Sequence, residues 1–342
     1  MSRTAVNITF DATAASAQAS TFAELAEAYH AATVQRLGDT DSGRRQDLNQ
    51  RCMVQRFTDV AGELHPSNIK PATLRRFALA LHQQTDFTGV YCREHIKVVK
   101  RVIRWGVEQG MVDASVYHVI RDVKGLERGE GRPSTKRRPV AWETVAATLP
   151  HMPPTCAAAA LVLWHTGLRP SEILTLKVGD LDTGNSPWMA TLSAHKTSKH
   201  IGDRCVYFGP KASSIIECLI VGRAGDAFVF SARRDRLETR LHLAVQRQTA
   251  PTCGNRARTT RRDAADRPLC VGSLRQAIHR GCDAAGVDRW TTYQLRHAAA
   301  TRLARDAGLA GAQAALGHTT GRMTEHYADR GEVAAAVAMQ HG

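Results

Sequence analysis

The stretch from Gly125 to Pro139 constrains the fold of this chain more than any other. It reads Gly-Leu-Glu-Arg-Gly-Glu-Gly-Arg-Pro-Ser-Thr-Lys-Arg-Arg-Pro, with three glycines, two prolines and five basic residues. Glycine and proline break helices and strands, and so few apolar side chains cannot build a core. A chain of 342 residues interrupted in this way is expected to fold as two units joined by a basic linker, residues 125–139. Such a segment suits a chain that wraps around a polyanion, and it equally suits an ordinary interdomain tether.

Before the linker the pattern is helical. Residues 1–20 are rich in Ala, Ser and Thr and read as a flexible N-terminal arm. Thr21-Phe22-Ala23-Glu24 is a capping-box pattern that opens a first helix. A second helix is expected over about 44–61, and a third begins at Pro71 with Leu74, Phe77, Ala78 and Leu81 on one face. The fourth, about 90–109, sets Ile96, Val99, Ile103 and Val107 on its apolar stripe. Residues 21–124 are therefore expected to form a small all-helical domain.

After the linker, residues 140–342 alternate short helices with two strands. Helices are expected over 142–149, 154–165, 170–176, 211–222, 271–284, 293–306, 309–316 and 320–327. Residues 188–193 and 204–208 read as strands flanking a polar turn. Residues 233–268 hold ten arginines against four acids and read as an inserted Arg-rich segment. Glu332–Gln340 reads as an Ala/Val-rich terminal helix. The fold class expected is mostly α with a small antiparallel sheet.

Charge points to a partner. Lys and Arg total 46 against 32 Asp and Glu, a formal net charge of +14. An excess of that size favours an anionic polymer, nucleic acid above all. Arg93, Lys97, Lys100, Arg101 and Arg104 share the face opposite the apolar stripe of the fourth helix, offset only by Glu94 and Glu108. Charged faces are also ordinary solvated surfaces, but basic residues gathered on one side favour phosphate contact. Lys136, Arg137 and Arg138 of the linker are candidates for the same role. The eight cysteines are scattered with no Cys-x-x-Cys pair, which argues against a zinc ribbon and fits reduced thiols in the cytoplasm. The longest apolar run, Cys156 to Trp164, is too short to cross a bilayer, so no membrane partner is expected.

Three segments carry chemistry. In Thr166-Gly167-Leu168-Arg169-Pro170-Ser171-Glu172, one helix ends at the glycine and the next opens at the proline, with Arg169 in the corner. Thr292-Tyr293-Gln294-Leu295-Arg296-His297 starts a later helix. Leu316-Gly317-His318 is followed nine residues after the histidine by Tyr327. Breaking a phosphodiester puts negative charge on non-bridging oxygens, which two arginines can hold by bidentate hydrogen bonds. It also needs an in-line nucleophile and an acid for the departing oxygen. A phenol, with a pKa of about 10, leaves again more readily than an alkoxide, so a tyrosine suits reversible attack.

The order Arg in TGLRPSEIL, Lys in a strand turn, QLRH, LGH and then Tyr resembles the catalytic domain of tyrosine recombinases of the phage-integrase type, over about residues 140–330. The helical region before it resembles their SAM-like core-binding domain. The resemblance implies that Arg169 and Arg296 clamp the phosphate, that His318 is a third ligand to its oxygens, and that Tyr327 forms a 3′-phosphotyrosine. It implies Lys196 as general acid, with Lys199 as its rival, and Glu172 and His297 as supports that orient the arginines. Tyr293 stands where the family usually has histidine, and some members resemble this chain in that variant. The resemblance further implies no metal or other cofactor, double-stranded DNA as substrate, and a chain monomeric when free. Four such chains would assemble on two DNA sites and exchange strands through a Holliday junction, with accessory DNA-bending proteins as further partners. Two other readings stay open: a type IB topoisomerase-like relaxase and a catalytically silent DNA-binding regulator.

Overall fold

A computed structural model describes residues 18–38, 41–127, 129–134, 138–192, 203–245 and 266–317. The chain divides into two compact units, Met1–Lys136 and Arg137–Gly342. It is mostly helical, with one small antiparallel sheet. No described helix is long and apolar enough to cross a membrane.

The first unit holds α1 (Phe22–Leu37), α2 (Asp41–Ala61), α3 (Pro71–Gln84), α4 (Gly89–Glu108) and α5 (Ala114–Ile120). The capping box forms as expected: Glu24 N–H donates to Thr21 Oγ1 at 3.2 Å, and Glu24 Oε2 accepts from Thr21 N–H at 3.4 Å. Aromatic contacts run through a largely aliphatic core. Phe57 meets Phe22 and Phe77 edge to face at centroid distances of 4.8 and 5.0 Å, and Tyr29 meets Trp105 at 5.7 Å. These geometries align ring edges with ring faces and add to area burial. His95 is wholly buried among Phe77, Phe87 and Tyr91. Burial pushes its pKa down. The neutral ring can then donate from Nδ1 to the Tyr91 carbonyl at 2.9 Å while Nε2 accepts from Arg56 at 3.3 Å.

Two features depart from the sequence reading. The short helix α5 was not anticipated, because seven residues carry too little periodicity to register. The stretch from Gly125 is also not a free tether at its start. Leu126 is fully buried in the helical core, Gly89 N–H donates to the Arg132 carbonyl at 2.9 Å, and Arg75 donates to the Gly125 carbonyl at 3.2 Å. A single leucine among breakers is enough to dock the segment once a pocket exists to receive it.

The second unit is built around α7 (Pro154–Thr166), in which Cys156, Ala159, Ala160, Val162 and Leu163 are all buried. Around it pack α8 (Pro170–Leu174), α9 (Pro210–Ile220), α10 (Ala232–Val245), α11 (Val271–Ala285) and α12 (Thr292–Leu316). Ahead of α7 lies α6 (Trp142–Thr148), fastened to the segment before α12 by Trp290 Nε1 donating to Thr148 Oγ1 at 3.0 Å. The sheet runs β1 (Leu181–Asp182), β2 (Trp188–Leu192), β3 (Arg204–Phe208), each antiparallel to the next. The two-residue β1 was missed for its length. The register pairs Trp188 with Phe208, Ala190 with Val206 and Leu192 with Arg204.

The region read as an Arg-rich insertion begins as an integral helix. On α10, Glu238 Oε2 accepts the Thr155 backbone N–H at 2.7 Å, and Asp235 Oδ1 accepts from Cys156 Sγ at 3.0 Å. Two carboxylates at the N-terminus of α7 complement its dipole. Its remaining stretch, 246–265, and the expected helices over 320–327 and 332–340 lie outside the described residues.

Candidate active site

The apolar helix α7 delivers the first element of the site. It ends at Gly167, whose φ of 64° is left-handed and favours glycine. Space demands glycine as well, because a Cβ there would lie 2.6 Å from Leu316 Cδ2 and 2.8 Å from Ala299 Cβ. This close approach seats the turn carrying Arg169 directly on α12, the helix carrying Arg296.

Arg169 is the N-cap of α8, with Pro170 as its first residue. Glu172 holds it twice. Oε2 accepts the Arg169 backbone N–H at 2.9 Å, and Oε1 accepts from its guanidinium Nη1 at 2.7 Å. The Glu172 side chain is 2% exposed and that of Arg169 is 15% exposed. A buried carboxylate in such a place is tolerated only where cations and N–H donors surround it.

The second cation around Glu172 is Arg204, which the sequence reading did not single out. Its Nη1 donates to the same Oε1 at 3.2 Å, with a side chain 14% exposed. Burial lowers its pKa and the Glu172 charge opposes that shift. A signal for Arg204 exists in the sequence. It opens β3 in phase with Val206 and Phe208, both buried, so it occupies an inward position of the strand. A charged residue in the buried phase of a strand calls for a partner inside.

Arg296 is 2% exposed. Its Nη1 donates to the Gly167 carbonyl and its Nη2 to the Leu316 carbonyl at 3.0 Å; the first of these is 2.6 Å. One guanidinium therefore ties the turn before Arg169 to the turn before His318. Arg302, two turns further along α12, takes the Trp164 carbonyl at 2.7 Å and lies over the Trp164 ring at 5.1 Å. Both arginines meet the negative end of the α7 dipole. His165, beside them, has its pKa lowered first by burial and then by Arg302 and Lys211.

The structure thus gathers Arg169, Glu172 and Arg296 of the expected residues, with His297 buried next to Arg296. Tyr293 lies one helical turn before Arg296 and is 39% exposed. Lys196, Lys199, His318 and Tyr327 lie outside the described residues, as do Lys136 and Arg137. Arg138 is exposed. On α4, Arg101 is exposed, while Lys97 pairs with Glu94 at 2.6 Å and Arg104 with Glu108 at 2.9 Å. Arg93 donates to the Glu127 carbonyl at 3.4 Å. Lys100 differs from the expectation. Its Nζ donates to the carbonyls of Arg121 and Val123, both at 2.8 Å, and burial lowers its pKa. It closes the C-terminal end of α5, a helix invisible in the sequence, rather than joining an open basic face.

Glu172 offers a direct test of this arrangement. Glu172→Ala would leave two enclosed guanidiniums facing one another, which should lower unfolding stability by about 3–5 kcal/mol. Urea unfolding of the variant measures this, and a loss below about 1 kcal/mol would contradict the packing described.

Comparison with known proteins is consistent with this geometry. The signature of the Phage integrase family matches residues 146–332. No curated protein sequence matches the chain. Among solved structures, a lambda integrase dimer bound to a COC′ core site is similar at a TM-score of 0.64 and 13% identity, covering 91% of this chain and 78% of that one. A lambda integrase tetramer bound to a Holliday junction gives 0.64 and 14%, covering 90% and 77%. The Tn1549 transposon integrase in complex with transposon right end DNA gives 0.64 and 15%, covering 94% and 99%. At such identities these structures speak for a shared fold. With more than half of its length matched by that signature, the chain belongs to the phage integrase family, the tyrosine recombinases.

Proposed function

We propose that this chain is a site-specific DNA recombinase that breaks and rejoins strands through a 3′-phosphotyrosine at Tyr327. The observation that carries this reading is Arg296 bonded at once to the Gly167 and Leu316 carbonyls. It fastens together the turn that precedes Arg169 and the turn that ends at Gly317, the residue before His318 in the sequence. Arg169 is the more open of the arginines and is assigned first contact with the scissile phosphate. Arg296 lies behind it, with its plane set by the two carbonyls, and His318 is a further donor to the phosphate oxygens. Preorganised donors of this kind stabilise developing charge without reorganising during reaction. Tyr293 sits at the exposed start of the same helix, where a phenol can donate to phosphate but is a poor base near neutrality.

Lys196, with Lys199 as the alternative, protonates the departing 5′-oxygen while the Tyr327 phenolate attacks phosphorus in line. Reversal from a second strand end, with Tyr327 as leaving group, completes the exchange. The arginines supply positive charge that a metal would otherwise bring. By analogy with the lambda integrase tetramer on a Holliday junction, four copies act on two duplexes.

The test is a nicked suicide duplex drawn from DNA flanking the gene. A protein–DNA adduct resistant to denaturation supports the reading, and its absence across the flanking sequences opposes it. Binding should also weaken steeply with salt. If six or more phosphates are neutralised, affinity drops about a thousandfold between roughly 50 and 200 mM salt. A shallow titration would remove the basic surfaces from the binding interface.

A further inference from the structure

We infer that Arg204 is a positioning residue for the reaction, acting through Glu172 on Arg169 and through the Gly317 turn on His318; this rests on the recombinase reading above. Three observations meet at its guanidinium. Nη1 shares Glu172 Oε1 with Arg169, at 3.2 Å against 2.7 Å. Nη2 donates to the Ala315 carbonyl at 3.4 Å, in the last turn of α12. The guanidinium itself fills the space over Gly317, where a Cβ would collide with Cζ, Nε and Nη2. Gly317 is left-handed, with φ of 61°, and is the residue before His318.

The last turn of α12 needs such an anchor. The helix breaks at Gly308, where φ is 71° and ψ is 172°, so Leu309–Leu316 is a short segment not rigidly continuous with the part bearing Arg296. Its closing carbonyls, Ala315 and Leu316, are held from outside by Arg204 and Arg296. A planar fork with several N–H groups can serve a carboxylate and a carbonyl together, whereas a lysine ammonium at the end of a flexible stem holds one geometry poorly. Arg204 is thus the link between the corner of α8 and the turn leading to His318, and β3 brings it there as an inward residue.

The experiment compares Arg204→Lys and Arg204→Ala in the full chain. Cleavage is read as single-turnover adduct formation on the nicked duplex. DNA affinity, thermal midpoint and amide exchange across residues 309–317 are measured alongside. Arg204→Lys should retain affinity and midpoint, exchange faster over 309–317 only, and cleave about tenfold to a hundredfold more slowly. Guanidinium ion at sub-denaturing concentration should restore part of the Arg204→Ala rate, a response that a fold-stability role would not produce. Wild-type cleavage and exchange in Arg204→Lys would overturn the assignment, as would losses in Arg204→Ala that follow the thermal midpoint and resist guanidinium. Failure of the unmodified protein to form any adduct counts against the recombinase reading, and the exchange result then reports separately on whether Arg204 holds the 309–317 segment.

Discussion

Tyr327→Phe will bind duplex DNA with nearly unchanged affinity and will form no covalent adduct. The substitution removes one oxygen and leaves the ring and the net charge as they were. On the proposed reading the reaction loses its nucleophile altogether, and in the sequence neither Tyr293 nor Tyr207 has the spacing from His318 that Tyr327 has. The effect is therefore a loss without a measurable remainder rather than a fold-reduction. Denaturing gel electrophoresis after incubation with a labelled nicked duplex reads it directly. Adducts persisting in the variant would transfer the nucleophile to another residue, and loss of binding together with adducts would make Tyr327 a structural aromatic.

The second large effect is expected at Arg296, and it has two parts. Arg296→Met keeps the length of the side chain but withdraws the donors to Gly167 and Leu316. Each buried carbonyl left without its donor costs about 1–3 kcal/mol, so the variant should lose about 2–5 kcal/mol of stability. The two turns that Arg296 fastens would also separate, and cleavage should fall by about a hundredfold to a thousandfold. Thermal unfolding and single-turnover cleavage, both measured well below the variant's midpoint, separate the parts. An unchanged midpoint with lost cleavage would make Arg296 a pure phosphate ligand. A lowered midpoint with intact cleavage would make it a pure brace.

Much of the scaffold was legible in the sequence because its signals are local. The capping box at Thr21, the proline at the start of α3 and the glycine at the end of α7 each specify a backbone event through the residue itself. Arg169 and Glu172 could be paired in advance because three residues separate them on one helical turn. Arg204 could not be paired in advance: strand alternation marks it as inward, but its partner stands 32 positions earlier and only the folded sheet brings the two together. The same limit applies to Lys100. Its place among Lys97, Arg101 and Arg104 suggested an open basic face, and only the folding back of α5 gives its ammonium two carbonyls to close.

By itself, then, the order of residues determined where most of the longer helices lie, a division near the Gly/Pro-rich segment and which side chains are candidates for phosphate. Those depend on backbone preference and functional groups, which each residue carries wherever it lies. What only the tertiary structure decided is how the charges are spent. Arg296 lies inside, bonded to two turns, and Arg204 joins a carboxylate shared with Arg169. Lys100 closes a helix end. Burial and long-range partners set those outcomes, because a cation removed from water must find its acceptor wherever the folded chain places one.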